Sequence, residues 1–316
     1  MTIPTSQASP GTYNFDPSAG NLVLYAYRMI NIPRTELTQA HLWDGSMAIN
    51  FTSVDMSNRN PLRFALQTLS TGAGNSFATS AASASGTTLT FASSPGSIIG
   101  FYATDTTVTT AIPANTTVTS VSGSGPYTVT LSAAVNGVNL GDSITFSELA
   151  PITQATSVYN LPNHTLAVSI VTIATGSGQS TVERVLGPIS AYEYAAMPNK
   201  LDQAPPTSYF FSLTAIPTIT FWPTPDSGGP YTMNIQTFRQ LQDVDLTNAQ
   251  GVDSPYRFLD ALTTGTAARL ADLYQPARAA DLYAKYEQRI SLAQSRDQET
   301  VGLSILPGLG SYYRIN

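Results

Sequence analysis

Two histidines, two lysines and no cysteine are available for chemistry in this chain of 316 residues. The lack of cysteine excludes disulfides, thiolate zinc sites and thiol nucleophiles. Lys200 and Lys285 follow Asn199 and Ala284, so neither stands in a phosphate-cradling G-x-x-x-x-G-K loop. Gly308 and Gly310 lack the third glycine and the following helix of a dinucleotide fingerprint. A Ser-His-Asp arrangement would need His41 or His164 as its base. His41 sits beside Trp43 in a helical pattern and reads as a packing or helix-surface residue, while His164 lies in a turn, 161–165 (LPNHT), that leads into a strand. Neither is flanked by a nucleophile-elbow sequence.

The carboxylates offer two further patterns. Asp243 and Asp245 hold the first and third positions of a calcium-type loop, but Asn248 stands where the sharp turn needs glycine and Ser254 replaces the bidentate glutamate. The stretch reads as an acidic connector ahead of a helix. Glu148, Glu183 and Glu193 could supply the carboxylate pair of a glycoside hydrolase, a chemistry decided by their separation, which a sequence does not give. The expectation is a protein without a catalytic centre, cofactor or metal.

Asp and Glu outnumber Lys and Arg by 20 to 14, a net charge of −6, which argues against a surface made to neutralise nucleic-acid phosphates. No apolar run approaches the ~20 residues that span a bilayer, and residues 1–10 lack the basic and apolar regions of a secretory signal, so neither is expected. The sequons at Asn50, Asn115 and Asn163 carry little meaning without such a signal.

The elements that must carry these residues fall into modules. After Arg63 the next basic residue is Arg184. Within this gap, 31 of the 86 residues of 72–157 are Ser or Thr, yet 87–91 (TTLTF), 127–131 (YTVTL) and 143–146 (SITF) alternate strictly between apolar and polar positions, bounded by turn formers. Half-buried strands of a small sandwich or barrel are expected, inserted in a host comprising 1–71 and 158–316. In the host, Asp16 and Pro17 signal a helix with Leu22, Ala26, Met29 and Ile30 at helical spacing. A second helix from about Thr35 carries Trp43, Met47, Phe51 and Val54 as its apolar stripe, and the two read as a helical hairpin. Pro255 opens a long helical stretch that Pro276 restarts, after which Ala279, Tyr283, Tyr286, Ile290 and Ala293 step by four and three, a narrow seam suited to a partner helix or to packing on the hairpin. Strand-like runs at 62–69, 166–173, 209–213, 218–222 and 231–238 lie between. The fold class expected is α+β, a helical bundle body with antiparallel strands and an inserted all-β domain.

Several stretches resemble the head-to-tail adaptor, or connector, proteins of short-tailed bacteriophages, the packaged-DNA stabilisation or tail tubular type. They are 24–28 (LYAYR), 35–38 (TELT), 188–190 (PIS) with Glu193 and Tyr194, 198–200 (PNK), Pro206 and Thr207 with Tyr209, 220–226 (TFWPTPD), 240–243 (QLQD), and Val252 and Asp253 with 255–257 (PYR). The resemblance implies a virion subunit of the neck, assembled in the host cytoplasm as a homo-oligomeric ring of twelve copies. Such a ring would bind the portal protein, extend the DNA ejection channel and dock the tail tube or nozzle protein. It also implies an extended C-terminal tail, so Leu303, Ile305, Tyr312 and Tyr313 join Tyr283, Tyr286 and Ile290 as candidates for the subunit or portal interface. Arg257, Arg278 and Arg289 are candidates for salt bridges between subunits. The module at 72–157 has no counterpart in shorter members and is expected to project outward to hold a tail fibre or decorate the neck, the alternative being a spacer with no partner. The alternatives are a receptor- or glycan-binding β module on a helical anchor and, further off, a cell-wall hydrolase.

Overall fold

The computed structural model describes residues 15–59, 62–71, 74–81, 83–108, 110–176, 181–229, 231–246 and 250–297. The chain is α+β and strand-rich, and it divides into two compact units: Met1–Phe64 with Leu241–Asn316, and Ala65–Gln240.

The first unit contains α1 (Ala19–Met29), α2 (Gln39–Arg59), α4 (Leu259–Tyr274) and α5 (Pro276–Ser295). Helix α1 begins two residues later than the Asp16-Pro17 signal, because Ser18 is its cap and accepts from the Asn21 amide. Residues 34–36 form a 3-10 turn ahead of α2, and 256–258 form another between Pro255 and α4. Pro276 occupies the first turn of α5, where its missing N–H costs nothing. Helices α1 and α2 are not primarily a hairpin: each packs more extensively on α4 than on the other. Helix α4 buries 11 of its 16 residues.

Close approach dictates which side chains line these contacts. A Cβ on Gly45 of α2 would lie 2.4 Å from Val23 Cγ1 of α1, and one on Gly265 of α4 would lie 2.6 Å from Thr52 Cγ2 and 2.8 Å from Tyr286 Cε2. The buried side of α2 is accordingly Gly45, Ala48, Ile49, Thr52, Ser53, Met56 and Ser57. Its hydroxyls bond the carbonyl four residues back, Thr52 to Ala48 at 2.7 Å and Ser53 to Ile49 at 3.1 Å, as do Thr263 and Thr266 in α4. Short side chains thus pack in the interior with their polar groups satisfied.

The second unit holds β1 (Leu66–Ser70), β2 (Asn75–Ala78), β3 (Ser83–Phe91), β4 (Tyr102–Asp105), β5 (Val118–Ser122), β6 (Tyr127–Val138), β7 (Ser143–Ser147), β8 (Val158–Asn160), β9 (Thr165–Thr175), β10 (Val182–Val185), β11 (Gly187–Pro188), the short α3 (Ala191–Ala196), β12 (Ser208–Ser212), β13 (Thr218–Trp222) and β14 (Tyr231–Arg239). Two four-stranded sheets, β1-β14-β9-β10 and β11-β12-β13-β8, contribute to a core that includes Val171, Ile173, Ile219, Phe221, Met233 and Ile235. Among the described residues, strands β2 to β7 pair only among themselves, in two three-stranded sheets, β2-β7-β4 and β3-β6-β5, joined by bridges from Thr79 to Phe91 and from Tyr102 to Thr117. Leu89, Phe91, Val129, Leu131, Ile144 and Phe146 fill that second core. The alternation in 127–131 reads through to the structure: Val129 and Leu131 are buried, and Thr128 and Thr130 are less so.

Candidate functional site: the outer faces of the helical unit

The largest apolar side chains of α2 point away from the core. Trp43 is 66% exposed and Phe51 52%, and Leu42, Met47 and Val54 are exposed with them. The spacing in sequence marked this stripe as one face; the tertiary structure shows that it is the outer one. Trp43 to Val54 runs along ~16 Å of helix, and an apolar row of that kind left in water marks an interaction surface.

A second feature of the same unit is an open groove of about 730 Å³ between α1, the start of α4 and the end of α5. Phe15, Tyr25, Tyr256 and Leu292 are its exposed apolar residues, and Phe15 meets Tyr256 edge to face at 6.4 Å. Arg257, Arg289 and Arg296 also line it. Arg257 pairs with Asp297, whose other oxygen accepts from the Arg63 amide at 2.7 Å, and Arg289 bonds Asp260 at 2.7 Å and Thr264. Arg296 has no ion-pair partner among the described residues.

The residues singled out from sequence are distributed as follows. In the α5 seam, Tyr286 and Ile290 are buried within their own unit, as are Ala279 and Ala293. The Tyr286 hydroxyl donates to Asp55 of α2 at 2.7 Å, and the Arg59 guanidinium lies 5.0 Å over its ring while also bonding Glu287 at 2.6 Å. Burial first, then the bond to Asp55, pushes the Tyr286 phenol well above its ordinary range. Tyr283 is half-buried, and burial together with its bond to Asp272 raises its phenol to about 12. Arg257 and Arg289 thus find their carboxylates in the same chain. Arg278 is partly buried, with Nη1 enclosed and without a hydrogen-bond partner among the described residues. Leu303, Ile305, Tyr312 and Tyr313 lie outside the described residues.

The candidates for chemistry are held separately. His41 stacks on Tyr274 at 4.7 Å, and its Nδ1 lies 2.7 Å from the Thr38 hydroxyl. Tyr27 donates to the His41 carbonyl and Tyr274 to Asp44, so this cluster fastens α1, α2 and α4 together. His164 Nε2 lies 3.8 Å from Glu148, which accepts from Gln67 at 3.2 Å. Glu183 accepts from Thr172 and Asn234, and Glu193 completes the capping box of α3 with Ser190; these hydrogen bonds lower both carboxyls below their ordinary range, the opposite of what a general acid requires. Asp253 accepts from the Gln242 amide at 3.0 Å and so braces the acidic connector. Among the described residues no group of three His, Asp or Glu is placed to hold a metal ion, and no helix is long and apolar enough to cross a membrane.

Reasoning from sequence missed that α2 is turned inside out relative to its stripe, and it missed the groove. The signal for the first was present in Gly45, Ala48, Thr52 and Ser53, a row of small residues at helical spacing that allows close approach. The groove left no comparable mark, since Phe15, Tyr25, Tyr256 and Leu292 come from three separate stretches.

The profile of the SU10 adaptor protein family matches residues 131–305, from within β6 through the end of α5 and beyond. The chain belongs to that family. It is therefore a phage adaptor protein, in keeping with the resemblance read from its sequence at the level of an adaptor. A search of curated proteins finds no match.

Proposed function

We propose that this adaptor is a structural subunit of the phage neck. Copies form a ring, twelve in the reading taken from connector proteins, between the portal and the tail; the ring extends the DNA channel and docks the next tail component. The observation that carries this reading is the outer face of α2, a row of large apolar residues kept in water by a helix whose small residues do the packing. Such a face serves protein contact. The net charge of −6 supports a channel through which a polyanion slides, since a basic wall would grip phosphates. The chain acts by shape and catalyses no reaction. Strands β2 to β7, which pair only with one another, are suited to holding a tail fibre on the outside of the neck.

Negative-stain imaging of the purified protein, alone and mixed with portal, tests the reading. The expected result is rings, alone or on the portal. A protein that is monomeric in both preparations and in mature particles, or one that turns over a substrate, overturns it. Deleting 73–156 is expected to leave rings intact while virions lose fibres.

A further inference from the structure

The exposed stripe and the groove lie on opposite sides of one helix. Helix α4 is surrounded by α1, α2 and α5. On one side α2 bridges its two neighbours, with Gly45 against Val23 of α1 and Arg59 and Asp55 on α5. Gly265 marks the side of α4 that faces α2, because its nearest neighbour is Thr52. Thr263, two residues earlier and therefore about 200° around the helix, lines the groove. No residue of α2 lines it. Among the described residues, three positions around α4 are filled by helices and the fourth is open.

The geometry points to the groove as the receptor for the outer stripe of α2 from a second copy of this chain. This rests on the adaptor reading and specifies the contact that builds the ring. A convex apolar row and a concave apolar groove on opposite faces of one body make a heterologous contact, which leaves a free stripe at one end and a free groove at the other, so it propagates until the ring closes. Charge agrees. The stripe itself, Trp43, Met47, Phe51 and Val54, carries none, and two of the three groove arginines are already neutralised by Asp297 and Asp260. An uncharged helix face enters without stripping water from an unpaired ion, whereas a polyanion would meet, among the described residues of the groove, one guanidinium without an ion-pair partner, that of Arg296. The contact also covers both unpartnered apolar surfaces at once, with Trp43 and Phe51 as large aromatic anchors.

The chain has no cysteine, which gives a clean background for cross-linking. Phe51→Cys and Leu292→Cys lie at exposed positions on the two faces. Under mild oxidation, in the purified protein and in particles, the double variant is expected to give a ladder of covalent oligomers on a denaturing gel, and neither single variant does. A second experiment mixes Trp43→Ser/Phe51→Ser with Tyr256→Ser/Leu292→Asp. Each alone is expected to lose at least tenfold in self-association, and the mixture to give one-to-one dimers that grow no further, because each pair retains one intact stripe and one intact groove. Covalent dimers from Phe51→Cys alone overturn the inference in favour of stripe-to-stripe contact. Rings that form without a ladder, or that survive the stripe substitutions, overturn it while leaving the adaptor reading in place. A Leu292→Cys/Ile305→Cys chain that closes on itself in place of the ladder gives the groove to the C-terminal segment and also overturns it. Failure of the wild-type protein to assemble even on portal is the separate result that removes the adaptor reading itself.

Discussion

Helix α2 and strand β14 both carry large apolar residues at regular spacing, and they use them in opposite ways. In β14 the alternating residues Tyr231, Met233 and Ile235 are buried, and the intervening Thr232, Asn234 and Gln236 are less so. In α2 the residues of the stripe are exposed, and glycine, alanine, serine and threonine take much of the interior alongside Ile49 and Met56. A strand has two faces, and in a sandwich the apolar one goes inside. A helix has a continuous circumference, and when a neighbour approaches closely enough to touch backbone, small side chains are favoured over large ones. The lesson is that apolar size identified the buried face in the strand and the exposed face in the helix.

Substitutions at matched positions can break this comparison. The largest effect is expected from Ile235→Ala, a fully buried site in β14, at about 2–5 kcal/mol by urea denaturation. If Phe51→Ala in α2 costs as much, the outward face is wrongly placed. Next comes Gly265→Ala. Helix propensity alone would favour alanine by about 1 kcal/mol, but the new methyl would meet Thr52, which is held by its own hydrogen bond, and the Tyr286 ring at 2.8 Å, so a net loss of about 1–3 kcal/mol is expected from thermal unfolding followed by circular dichroism.

A smaller effect concerns the phenols. Unfolded tyrosine ionises near pH 10, while burial and the bond to Asp272 hold Tyr283 to about 12, with Tyr27 and Tyr286 also raised. Between those values the unfolded chain releases protons that the folded one keeps. The stability these groups contribute is therefore complete below pH 10 and declines as pH rises toward 12. Helical ellipticity during an alkaline titration should show this loss, with a shallower slope in Tyr283→Phe. The smallest effect on folding is expected from Phe51→Ser, within about 0.5 kcal/mol, with self-association measured by sedimentation as the property that changes.

Much of the fold was legible because local patterns and tertiary structure agree. The strands at 218–222 and 231–239, the restart at Pro276 and the strands over 87–91, 127–131 and 143–146 all follow from alternation and turn chemistry. The seam of α5 was legible as a seam, but periodicity could not name its partner: Tyr286 could have met another subunit, and it meets Asp55 and Arg59 of its own chain. Arg257 and Arg289 pose the same difficulty, since a guanidinium shows no preference in sequence between a carboxylate 40 or 29 residues away and one on a neighbour.

The amino-acid order alone determined the element types, the absence of thiol chemistry and the adaptor resemblance, because propensity, capping and composition act within a few residues of each other. Which side of α2 is inside, and that α4 has one flank open among the described residues, was decided only when four helices packed. Those outcomes depend on distances of a few ångströms between residues far apart in the chain, where a single Cβ at Gly45 or Gly265 would forbid the contact that turns the large side chains outward.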